Sequence, residues 1–141
     1  MGSSLQVVRL NLSGGNIQTL PYRDGIVEVV VAGRPARLKL DFGSNHQLTI
    51  SEHSWRKFFD NETEAGQIRT ADASGYVRTE DVRYGVQIEV GRFASDVRAT
   101  RSVHPDSSID GHIGFGYFRD KLVVVDQNAG RLTIVQREKP K

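Results

Sequence analysis

With 38% hydrophobic and 26% charged residues in 141 positions, the chain holds enough apolar material for one domain with its own core. Its net charge of +2 rests on basic residues scattered singly or in pairs, not on the basic stripe with interleaved aromatics of a nucleic-acid binder, so no nucleic-acid partner is expected. The absence of cysteine excludes disulfides, thiolate catalysis and cysteine-ligated zinc, and no apolar run approaches the ~20 residues of a membrane span.

Taken in chain order, residues 1–16 read as an N-terminal tail, 17–136 as the domain and 137–141 as a C-terminal tail. The opening "MGSSLQVVRL" lacks the apolar centre of a signal peptide. The compartment stays open between cytoplasm and, if a targeting segment is removed, the periplasm or cell envelope. "GIVEVVVAGRPARLKLDF" reads as strand, turn and strand, with Gly33-Arg34-Pro35 as the turn and Leu38, Leu40 and Phe42 on one face. Ser51–Asp60 predicts a helix with Ser51 as N-cap and an apolar stripe of Trp55, Phe58 and Phe59.

Beyond it, Asp72-Ala73-Ser74-Gly75 suits a hairpin tip. Val82, Tyr84, Val86, Ile88 and Val90 then alternate with polar residues and Gly85, as in a half-buried strand. Asp96–Val103, Lys121–Asp126 and Arg131–Val135 predict further strands, the last two joined by a "QNAG" turn. A second short helix is expected at Tyr117–Asp120. The fold class is therefore mainly β, with one or two short helices.

Asp41-Phe42-Gly43 are letters with which protein kinases hold magnesium. That reading needs a glycine-rich loop, a lysine strand and a His-Arg-Asp loop upstream. Only forty residues precede Asp41, and they contain none of these. The alternative is an acid at the end of a hydrophobic strand, followed by Gly43 and Ser44.

The far end of the chain supports that alternative. "SSIDGHIGFGYFRDKLVVVDQNAGRLTIV", Ser107 to Val135, resembles the closing segment of retropepsin-like aspartic proteases. Asp110, Gly111, Ile113, Gly114, Phe118, Val123–Asp126, Gly130 and Leu132 fill the pattern in order. "IVEVVVAGRPARLKLDFGSNHQLTIS" resembles the strands leading into the family's catalytic loop, and Gly66–Gly85 occupies the place of its flap hairpin. The likeness covers Ile26 to Val135. It implies a closed β-barrel or acid-protease half-fold with a flap. It also implies an aspartic endopeptidase in which water is activated by paired aspartates, without cofactor or metal.

Only one Asp-x-Gly-Ser is present, so the second carboxylate must come from another domain, most simply through a homodimer. The resemblance makes Asp41, Gly43 and Ser44 the catalytic residues. Gly43 is expected to turn its amide toward the carboxylate, and Ser44 to donate a further hydrogen bond. Ala73, Ser74, Gly75 and Tyr76 become the flap over a peptide or protein substrate. Phe42, Ile113 and Gly114 support the loop.

Phe42 departs from the family, where Thr or Ser bonds across the dyad. Phe cannot donate, and two hydrogen bonds of ~0.5–1.5 kcal/mol each disappear per dimer. Its ring, of ~150–250 Å², either crowds the axis or turns into its own core. Two further readings follow: a degenerate module that binds a peptide or partner without cutting, and one half of a tandem protein. His112 and Gly116 also replace what are often an aliphatic residue and an Asp.

Other signals are discounted. "HPDSSIDGH", His104 to His112, fits neither zinc nor calcium spacing and reads as a solvated loop. "NLSGGN" lacks the Lys-Ser/Thr of a phosphate loop. Asn11-Leu12-Ser13 matches a glycosylation acceptor, relevant only to a eukaryotic secretory chain.

Overall fold

In the computed structural model, which describes residues 16–59, 64–104 and 106–136, the apolar alternation becomes a series of strands interrupted by two short helices. The order is β1 (Ile17–Pro21), β2 (Ile26–Val31), β3 (Arg34–Asp41), β4 (Leu48–Ser51), α1 (Glu52–Phe58) and β5 (Glu64–Ala71). There follow β6 (Val77–Val90), β7 (Phe93–Ser102), β8 (Gly111–Gly114), α2 (Phe115–Phe118), β9 (Lys121–Asp126) and β10 (Arg131–Gln136). The expected tails lie outside the described residues except for Asn16, whose carbonyl accepts the Gln136 N–H at 2.8 Å.

Strands β2, β3, β8, β4, β7 and β6 pair in that order, and β2 pairs back onto β6, closing a six-stranded barrel. Closure removes the free edges that an open sheet must otherwise protect. Inside it lie Val27, Val29 and Val31 of β2, Ala36 and Leu38 of β3, Leu48 and Ile50 of β4, and Ile113 of β8, with Val86, Ile88 and Val90 of β6. A second sheet, β1-β10-β9, brings Leu132 and Ile134 to the same core. Gln18 couples the two sheets: its side-chain oxygen accepts the Arg92 N–H at 2.7 Å and its amide donates to the Val90 carbonyl.

Three expectations shift by a few residues for local reasons. The β2–β3 turn is Ala32-Gly33, with φ of 50° and 79°, the paired positive angles that match the twist of a two-residue hairpin. Arg34 and Pro35 already belong to β3, before β8 joins it at Leu38, so proline interrupts no ladder on that side. The first helix stops at Phe58, and Ser51 occupies its N-cap position without a side-chain capping bond. The second begins two residues early, at Phe115.

A larger correction concerns Tyr84. Strict alternation puts it inside with Val82 and Val86, yet it is 39% exposed. Pairing jumps from Arg83–Ala99 to Val86–Val97, so Tyr84 and Gly85 together oppose Arg98. This bulge, with Gly85 at φ 63°, turns Tyr84 outward while keeping both valines buried. The same strand continues back to Val77, far beyond the predicted segment.

Candidate functional site

Asp41 is the last residue of β3, level with Gly114 at the end of β8, and its side chain is exposed. The chain then leaves the sheet for residues 42–47 before re-entering as β4, on the far side of β8. The inserted strand holds the loop from beneath: Gly114 N–H donates to the Gln47 carbonyl at 3.1 Å, and Phe115 N–H to the Ser44 carbonyl at 2.8 Å. β8 can lie this close because it carries glycine where side chains would collide. A Cβ on Gly111 would stand 1.9 Å from the Thr49 carbonyl oxygen, and one on Gly114 2.1 Å from that of His46.

Within the loop, the Gly43 amide donates to Asp41 Oδ1 at 3.1 Å, as expected from the sequence. Ser44 behaves differently: its N–H donates to the Asp41 backbone carbonyl at 3.2 Å, while its Oγ accepts the His46 N–H at 3.3 Å. The hydroxyl thus stiffens the loop in place of the expected bond to the acid.

Phe42 takes a middle course, with its ring 5.4 Å from that of Phe118 on α2 and 47% of the residue exposed. Ile113 is fully buried between Leu40 and Leu48. The neighbouring His112 packs its ring 4.8 Å from His104. Burial and His104 hold the His112 imidazole below its ordinary value, while Asp41 pulls it the other way.

Residues 73–76 form the tip of the β5–β6 hairpin, with Gly75 at φ 86°. Asp72 organises it, its Oδ1 accepting the N–H groups of Ser74 at 2.9 Å and Tyr76 at 3.1 Å. Tyr76 is 67% exposed. The hairpin's inner strand reaches the Asp41 loop through a contact that no sequence spacing announced: His46 Nε2 lies 3.6 Å from Glu80 Oε2, and Arg78 Nε lies 3.0 Å from Glu80 Oε1.

Sequence reasoning also missed the role of Asp110. Far from belonging to a wholly solvated loop, it accepts the Arg37 N–H at 2.9 Å and the Ser54 hydroxyl at 2.7 Å, with Lys57 Nζ at 3.5 Å. Its neighbour Ile109 is buried, while Asp106, Ser107 and Ser108 remain exposed as expected. Asp110 therefore fastens β3 and α1 to the strand that carries Gly114. Among the described residues, no three His, Cys, Asp or Glu side chains are placed to hold a metal.

Burial pushes the Asp110 carboxyl up, but the Arg37 amide, Ser54 and Lys57 outweigh it and hold the group below its ordinary value. A depressed carboxylate contributes stability above its unfolded value and loses it as pH falls through the folded one. Stability should therefore decline as pH drops from 5 to below 3.8. Asp110→Ala should cost about 2–4 kcal/mol at pH 7 by removing charge-assisted bonds, and should flatten that decline. Urea titrations of both proteins at each pH check this.

No family model matches the chain, and no curated protein matches it. Solved structures do: one match is a retropepsin-like aspartic protease from Rickettsia conorii, with a TM-score of 0.61 and 12% identity over 85% of this chain and 90% of that one. The closed barrel, with β8 threaded between β3 and β4, is the retropepsin-like fold.

Proposed function

We propose that the chain is one half of an aspartic-type endopeptidase that acts as a homodimer. The observation carrying this reading is the placement of Asp41. An exposed carboxylate ends a barrel strand, is braced by the Gly43 amide, and sits on a loop held by β8 in a retropepsin-like fold.

A second copy supplies the matching acid. Two carboxylates that close share one proton, because both cannot readily ionise. The ionised partner takes a proton from water as it attacks the scissile carbonyl, and the protonated one donates to the carbonyl oxygen. The β5–β6 hairpin acts as a flap, and substrate lies beneath it as an extended peptide held by main-chain hydrogen bonds. The partner is an unfolded or flexible protein segment, and neither metal nor cofactor takes part.

Phe42 favours a second reading, in which the same fold binds peptide without cutting. Its ring packs against Phe118 and offers no hydroxyl to tie two loops together. A variant of this second reading makes the chain one half of a tandem two-domain protein whose other half carries an intact motif.

Incubating the protein with a denatured polypeptide at pH 3–7, with solution mass measured in parallel, separates these cases. The endopeptidase reading expects a dimer that releases internal fragments. A folded dimer that binds but cleaves nothing leaves the binding module, and a folded monomer points to the tandem arrangement. Phe42→Thr should raise hydrolysis while losing about 0.5–1.5 kcal/mol of ring pairing with Phe118, measured by fragment release and by urea midpoint.

A further inference from the structure

The part of the hairpin nearest its tip leaves the barrel. Val77–Asp81 pair with β5, whereas β7 joins β6 only from Val82 onward. Its seat against the body therefore depends on side chains. On β6, Arg78, Glu80 and Val82 share the face whose Val82 end is buried in the protein, and Glu80 follows it inward with only 9% of its side chain exposed.

A carboxylate so placed needs partners. Arg78 serves Oε1, while Oε2 is buried without a hydrogen bond and lies 3.6 Å from His46 Nε2. His46 is firmly built into the Asp41 loop: its N–H is taken by Ser44, and its carbonyl lies against Gly114. A pull on its ring is thus a pull on the loop.

We propose that His46 and Glu80 form a charge-dependent clasp that seats the β5–β6 hairpin against the Asp41 loop, making both positioning residues for the site. Its part in hydrolysis rests on reading the hairpin as a flap. With a protonated imidazole the pair is ionic and satisfies the buried Oε2; with a neutral one the attraction falls away and the hairpin loosens.

On the Glu80 side, Arg78 and Asp81 of β6 line a recess with Glu52 of α1 and Arg101 of β7, whose guanidinium pairs with Glu52 and Asp81. On the loop side, Asp41 stands at its head, and Arg98 of β7 and Arg119 after α2 line a separate recess with Asn45 and Gln47, the neighbours of His46. From β5 the residues opposite Glu80 and Arg78 are Ile68 and Thr70, and β8 and α2 present Gly114 and Gly116 to the loop. Arginines keep their charge throughout. Imidazole is the side chain whose charge ordinarily changes between pH 5 and 8. Protonating the imidazole would therefore tighten the clasp.

Hydrogen exchange by mass spectrometry on the full chain at pH 5 and pH 8, corrected for intrinsic exchange rates, tests this on the amides of Asp72–Asp81. The hairpin should be about fivefold better protected at pH 5, the size of a modest ion pair. His46→Gln and Glu80→Gln should each abolish that difference, the double variant should add nothing, and His46→Lys should protect the hairpin at both pH values. Survival of the pH response in Glu80→Gln, or a His46→Lys protein that behaves like His46→Gln, overturns the clasp. Should Glu80→Gln fail to fold, the two His46 variants decide alone. Since hydrolysis is not read, a protein that cleaves nothing can still display the clasp. Conversely, a missing clasp in a protein that does cleave leaves the peptidase standing.

Discussion

Asp41→Asn should abolish cleavage of an unfolded polypeptide, lowering kcat/KM by at least about 10²–10⁴-fold, the usual contribution of positioned acid–base groups. In a homodimer the change removes both carboxylates together, and an amide can neither take the proton from water nor pass one to the carbonyl. The fold should hardly notice. Asp41 is exposed, and an Asn oxygen can still accept the Gly43 N–H, so stability should stay within about 0.5 kcal/mol of the native protein. Fragment release and thermal melts on the same preparations check both halves. Undiminished hydrolysis by a folded Asn variant would transfer the chemistry to other residues.

The second large effect belongs to the glycines of β8. Gly111→Ala would place a methyl group 1.9 Å from the Thr49 oxygen and 2.9 Å from its carbonyl carbon, both fixed in β4. No side chain can swing aside, so β8 must separate from β4 and the barrel must open. The expected loss is about 3–5 kcal/mol, enough to leave a domain worth about 5–15 kcal/mol largely unfolded in mild urea.

Gly114→Ala presses on His46 instead and should displace the Asp41 loop as well. A shift of about 1 Å there lowers rate about 100-fold even in molecules that stay folded. Gly33→Ala is the control: open space surrounds its Cβ position, and only the positive φ is penalised, at about 1 kcal/mol. Urea midpoints should rank Gly33→Ala well above the other two; equal midpoints would mean that β8 has room to adjust.

What could be read ahead of the structure was whatever acts over a few residues. The Gly43 amide reaches the Asp41 carboxylate because they are two positions apart on one loop. The "QNAG" turn closes β9 onto β10 because Gly130 takes φ 64° and Asp126 accepts the Ala129 N–H. Tyr84 was misplaced because alternation carries no mark of a bulge. The destinations of Asp110 and Glu80 were invisible because their partners are chosen by how β8 and the hairpin are packed. Ser44 Oγ was misassigned between two local partners, taking the His46 N–H two positions on instead of donating to Asp41.

By itself, then, the sequence determined a mainly β chain, the order of its segments, the buried face of most strands and the acid on which the proposed chemistry turns. The strands and their faces follow from side-chain alternation and turn residues, properties of neighbours along the backbone, whereas the acid was singled out by the chain's resemblance to retropepsin-like proteases. The tertiary structure alone decided that Phe42 leans on Phe118, that Asp110 ties three elements together and that His46 meets Glu80 thirty-four positions away. Those contacts depend on closing the barrel with β8 between β3 and β4, and local periodicity does not encode which distant strands become neighbours.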